Sequence, residues 1–171
     1  MRLFYALNFS DEVKCRLGKI KEELQRRSAS GNFTQNQNFH LTLAFLGECN
    51  EKQTYLAKSV LDLLEVFPIE LSFTKMGYFK RRVGDIWWVG TEENEKLLKL
   101  QHLLVKKLEN SGFKTDNRFS PHITVGREVI TEYGPWKIES FIETVCSVEL
   151  MKSERKDNSL ENTPIHSKAS I

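Results

Sequence analysis

The chain has 171 residues, 40% of them hydrophobic and 28% charged, and 25 Lys and Arg against 23 Asp and Glu leave a net charge of +2. That size and balance describe one soluble domain with a sizeable core, and they exclude a disordered chain, a membrane-spanning one and a strongly basic nucleic-acid glove. The three cysteines, Cys15, Cys49 and Cys146, are odd in number and show no CxxC spacing, so they read as free thiols in a reducing compartment rather than a disulfide framework or zinc site.

The opening MRLFYALNFSDEVK lacks the signal-peptide layout, and a cytoplasmic location is expected. Residues 2–9 predict a strand, after which Ser10 and Asp11 are N-cap candidates. Val13, Leu17, Ile20 and Leu24 then form the stripe of an amphipathic helix. A polar stretch from Ser28 to Asn38, containing Gly31, is expected to break that helix before a strand in HLTLAFLG at 40–47. Asn50 caps a second predicted helix with Leu56, Val60, Leu63 and Phe67 on its inner face, ending at Pro68. Residues 69–76 alternate as a strand, followed by the basic loop Lys80, Arg81 and Arg82, most simply a solvated turn. DIWWVG at 85–90 predicts a compact strand in which Trp87 and Trp88 point to opposite faces, so at least one belongs to the core. A third helix carries Leu97, Gln101, Leu104 and Leu108, and Gly112 is its natural stop. HITVGR follows at 122–127. Residues 138–151 suggest a strand, SERKDNSLEN is polar enough for a loop, and the tail from about 160 adds a last strand.

The two halves repeat one order: strand, helix, polar loop, then a strand holding His-x-Thr. His40 lies 38 residues after Arg2 and His122 lies 37 residues after Asp85. One domain over 1–171 is expected, built of two pseudo-symmetric lobes that bring motifs 40–43 and 122–125 to a shared cleft. Side chains two apart on a strand share a face, so His40 stands beside Thr42 and His122 beside Thr124. Two such pairs across a cleft suit in-line displacement at phosphorus. One imidazole acts as acid and the other as base, while the threonine hydroxyls hold the non-bridging oxygens. Two accidental hits of this kind are expected in roughly 2% of such chains. No metal-ligand spacing accompanies the motifs, so neither metal nor cofactor is expected. In an unbroken strand Arg127 would point away from His122 and reach a phosphate only if the strand bends. Arg118, in the loop before the motif, is a second candidate substrate contact. His102 and His166 lack a partner threonine and read as structural.

HLTLAFLG together with RFSPHITVGR resembles the paired signature of the 2H phosphoesterases, and more closely the RNA 2′,3′-cyclic phosphodiesterases, historically called 2′-5′ RNA ligases. The similarity runs from about residue 2 to 150. It implies an α+β, bilobal fold of pseudo-two-fold duplicated β-α-β units, with two antiparallel sheets flanking a central cleft. It also implies hydrolysis, without metal, of an RNA-terminal 2′,3′-cyclic phosphate to a 2′-phosphomonoester; RNA ends or cyclic nucleotides are the expected substrates, and a monomer is expected. By position His40 would be the proton donor and His122 the proton acceptor, with Thr42 and Thr124 on the phosphate. A non-catalytic binder of such RNA ends, or an enzyme for another cyclic phosphate or a 2′-5′ linkage, fits the same residues.

Overall fold

The computed structural model describes residues 1–116 and 118–171. In chain order the elements are β1 (Arg2–Asn8), α1 (Asp11–Arg26), β2 (Ser28–Phe33), a short 3-10 turn (Asn36–Asn38), β3 (His40–Glu48), α2 (Glu51–Asp62), β4 (Ile69–Phe79), β5 (Asp85–Thr91), α3 (Glu95–Asn110), β6 (His122–Thr131), β7 (Phe141–Val145), β8 (Ser147–Lys156) and β9 (Ser159–Ala169). They form an α+β fold with two antiparallel sheets, one in the order β3-β1-β8-β9 and the other β2-β6-β5-β4-β7.

Among the described residues, all three α-helices begin where a side chain accepts from the first turn: Ser10 from Val13 N–H, Asn50 from Gln53 N–H, Asn94 from Leu97 N–H. Asn50 and Gln53 complete a reciprocal capping box, which satisfies two N–H groups that the helix itself leaves unpaired. α1 packs on β2 and β6, whereas α2 and α3 lie on the other sheet, against β8, β9 and β3. β1 is buried on both faces. Leu3, Tyr5 and Leu7 point into the main core, and Phe4 and Ala6 join Met151 of β8 in a small separate cluster on the opposite face.

Several expected boundaries shift for identifiable reasons. The polar stretch after α1 is not a plain loop: residues 28–33 pair with β6, with Ser28 opposite Thr131 and Phe33 opposite Gly126. Tertiary pairing here overrides a sequence of low strand propensity. α2 stops at Asp62, and the chain then buries Leu64 and Val66 while Leu63 and Phe67 are 70% and 55% exposed. Pro68 requires an extended residue before it, so the helical face read as far as Phe67 ends early. Residues 138–151 divide into β7, in one sheet, and the start of β8, in the other. SERKDNSLEN is a hairpin: Asp157 and Asn158 take φ values of 50° and 65°, the left-handed pair a two-residue turn needs and that Asp and Asn tolerate. Among the described residues, no helix is long and apolar enough to cross a membrane. All three cysteines are free, and Cys49 is buried.

Candidate active site

β3, an edge of its sheet, lies against β6 of the other sheet. Both strands begin with a histidine and carry the same irregularity. On β3, Ala6 faces Thr42 while the adjacent Tyr5 faces Ala44, so β3 holds one residue more than β1 there. Leu43 and Ala44 are both buried and Phe45 is exposed. On β6, Trp88 faces Thr124 while the adjacent Trp87 faces Gly126, and Val125 and Gly126 are both buried. Each bulge shifts the alternation by one residue. It returns Phe45 to the side of His40 and Thr42, and Arg127 to the side of His122 and Thr124. This is the bend that the reach of Arg127 required.

The two imidazoles are held alike. His40 Nδ1 lies 2.6 Å from the carbonyl oxygen of Asn38, and His122 Nδ1 lies 2.6 Å from that of Ser120. A carbonyl only accepts, so each Nδ1 carries the proton and donates it, and each neutral ring keeps its lone pair on Nε2. Burial is the main influence on both rings and pushes both pKa values below the usual histidine range; the carbonyl bonds oppose that shift. The positive charge of Arg127 acts on both rings in the same direction, and His122 and Lys14 add to the effect at His40. Arg127, although exposed on one side, is itself held down by partial desolvation and by Arg2. The two neutral bases thus share one cation, Arg127, and the charge of an anion placed between them would raise both pKa values again.

Aromatic rings support each histidine. Phe4 lies with its ring centroid 4.9 Å from that of His40, and Phe79 meets His122 edge-on at 5.1 Å. Trp88 stands 6.5 Å from His122 and 5.5 Å from Phe79. Trp87 turns the other way and is 1% exposed, which fits the expected division of the pair. Trp88 lies flat because two neighbours are glycines: a Cβ on Gly77 would come within 2.6 Å of its ring and one on Gly90 within 2.9 Å.

The remaining expected residues fall elsewhere. Arg118 is exposed in the loop before β6, where its backbone N–H donates to Asp116, and its charge is not among those acting on either histidine. Arg81 sits 5.6 Å over the Phe79 ring, and its backbone is held by Asp85. His166 bonds Asp62 at 2.7 Å and ties β9 to α2, a structural role as read from the sequence. Sequence reasoning does not reach Phe4, Phe79 or Asn38, nor the place of Trp88 beside His122. The available signal for Asn38 is its spacing: it and Ser120 are the residues two before each histidine, where a strand entrance can turn a carbonyl onto the ring.

This fold is that of the LigT-type phosphoesterases. E. coli LigT in complex with 3′-AMP superposes with a TM-score of 0.89 at 24% identity, covering 99% of this chain and 97% of that one. A Thermus thermophilus protein superposes with a TM-score of 0.85 at 24% identity, again covering 99% of this chain and 97% of that one. Residues 10–155 match the family model of the 2′-5′ RNA ligase superfamily, and the chain belongs to that superfamily. Its relatives include the RNA 2′,3′-cyclic phosphodiesterase of Thermotoga maritima, 37% identical over 85% of this chain and 78% of that protein. That of Archaeoglobus fulgidus is 32% identical over 74% of this chain and 72% of its own length.

Proposed function

We propose that this protein is an RNA 2′,3′-cyclic phosphodiesterase that opens the cyclic phosphate to a 2′-phosphomonoester with its two histidines as acid and base. The observation that carries the reading is the matched pair of rings: each Nδ1 is committed to a carbonyl, each Nε2 is left to exchange a proton, and one arginine acts on both. Relatives named for this activity support it.

In the proposed reaction His122 takes a proton from water as its oxygen bonds to phosphorus. The bond from phosphorus to O3′ breaks, and His40, protonated once the anionic substrate is bound, gives its proton to that oxygen. One water is consumed, and the two rings end with their protonation states exchanged. Thr42 and Thr124 donate to the non-bridging oxygens, and Arg127 neutralises the charge that grows on them. The substrate is an RNA end or a cyclic nucleotide, and the chain acts as a monomer without a metal, as two pseudo-symmetric lobes. Arg118 is left as a rim contact to the RNA beyond the phosphate.

The test is turnover of an oligoribonucleotide with a 2′,3′-cyclic phosphate in excess EDTA, with the product assigned as 2′ or 3′. His40→Ala and His122→Ala should each slow it by about 10²- to 10⁴-fold, the range of lost acid–base catalysis. An unchanged rate in the double variant would refute the scheme.

A further inference from the structure

We propose that Asn38 is the positioning residue for His40, with its side-chain amide locked onto the outer edge of β9 so that its own carbonyl is fixed on the His40 ring. This rests on the reading of His40 as a proton-transfer group and goes beyond it by assigning a task to the C-terminal hairpin.

Asn38 is one of few buried polar side chains, 6% exposed. Its Nδ2 donates to the carbonyl of Leu160 at 2.7 Å, and its Oδ1 accepts from the backbone N–H of Asn162 at 3.4 Å. The reverse orientation of the amide would set donor against donor and acceptor against acceptor, so the network fixes it. β9 is the last strand of its sheet, and its outward groups would otherwise meet only solvent. The amide stands there in place of a neighbouring peptide group.

The rest of the turn is gripped from both sides. Gln35 Nε2 donates to Ser159 Oγ at 3.1 Å on the hairpin side. On the α1 side Lys14 donates to the Gln37 carbonyl at 3.2 Å and Lys21 to Asn36 Oδ1 at 2.6 Å. Gly18 admits Asn36 so closely that a Cβ there would lie 2.6 Å from its Nδ2. Residues 35–38 are thus bound one by one, immediately before the carbonyl that orients His40.

Among the described residues, the carbonyl that holds His122 has no such support. Ser120, whose carbonyl plays the matching part, is exposed in the loop between α3 and β6, and among the described residues no side-chain hydrogen bond holds it. The carbonyl on His40 is therefore braced by its neighbours, whereas the carbonyl on His122 belongs to an exposed loop.

Asn38→Ala should lower kcat by about 10- to 100-fold and change KM by less than about threefold, because a misdirected ring weakens proton transfer more than phosphate binding. Asn162→Pro removes the N–H that donates to Asn38, at an outward edge position where proline is tolerated, and Asn162→Ala, which keeps that N–H but loses the same buried side-chain amide, is its control and should keep kcat near wild type. The proline variant should lower kcat in the same direction by about 3- to 10-fold. In wild-type protein, ¹⁵N NMR of the imidazoles should show the Nδ1–H of His40 exchanging with solvent more slowly than that of His122. Should Asn38→Ala not fold, the proline variant and the wild-type spectrum decide. The proposal is overturned if Asn162→Pro keeps wild-type kcat, if a folded Asn38→Ala does, or if the two ring protons exchange equally fast. In each of these cases His40→Ala must still slow turnover by at least about 10²-fold; if His40→Ala turns over at the wild-type rate, the functional reading fails instead.

Discussion

Replacing Gly77 by alanine should disturb the surroundings of His122 from two strands away. Gly77 faces Trp88, and Trp88 faces Thr124, so the three lie in line across β4, β5 and β6. The new methyl would sit 2.6 Å and 2.7 Å from two carbons of the indole ring, against a comfortable carbon–carbon separation of about 3.6 Å. The ring must therefore move by about 1 Å, and on its open side it meets Phe79 and His122. Overpacking of this kind costs about 1–3 kcal/mol, and alanine in place of glycine returns about 0.5–1 kcal/mol of that within a strand. A net loss near 1.5 kcal/mol corresponds to a fall in Tm of roughly 3–6 °C for a chain of this size. A displacement of about 1 Å beside the reacting groups should also reduce kcat by up to about 100-fold. Thermal melts followed by circular dichroism and the cyclic-phosphate assay read the two effects. Gly134→Ala, where nothing lies within 4 Å of the added methyl, is the control. Adding Trp88→Phe to Gly77→Ala should recover most of the lost stability. A Gly77→Ala protein with wild-type Tm and kcat would refute the argument that the glycine seats the tryptophan.

Folding stability should fall as the pH is lowered from about 6.5, where histidines of the unfolded chain take up protons while His40 and His122, both depressed, do not yet follow. The unfolded state binds more protons throughout that window, so stability rises with pH across it and is lost on acidification. Urea melts at pH 7.5 and 5.5 should show it, and His40→Ala should flatten the slope; equal slopes would count against the assigned shifts. On the opposite face of β1, the Tyr5 hydroxyl donates to the Ala57 carbonyl at 2.7 Å. Tyr5→Phe should cost about 1–1.5 kcal/mol, or roughly 2–6 °C in Tm, with kcat unchanged; a melt at the wild-type temperature would refute it.

The two His-x-Thr pairs were legible because their signal is local. Alternation along a strand places His40 with Thr42 and His122 with Thr124, and that needs no knowledge of the partner strands. The helix starts were legible for the same reason, since Ser10 and Asn50 cap their own chains. What the sequence concealed depends on distant residues. That Arg127 falls on the same side of β6 as His122 follows from a bulge visible only in register with β5. The strand character of residues 28–33 comes from β6, and that of the polar hairpin from β8 and β9 pairing with each other. Asn38 reads as loop polarity until residues 160–162 lie beside it.

The strand order also bears on how this protein is born. β1 leaves the ribosome more than 100 residues ahead of β8, its second neighbour, with Tyr5 opposite Leu150. At about 5–20 residues per second, that edge waits roughly 7–30 s for its partner. During that interval Leu3, Tyr5 and Leu7, all fully sheltered in the finished fold, have only β3 beside them. An apolar strand with one open edge is a template for unwanted pairing. Until β8 closes the sheet, that edge is the part of the nascent chain most open to such pairing.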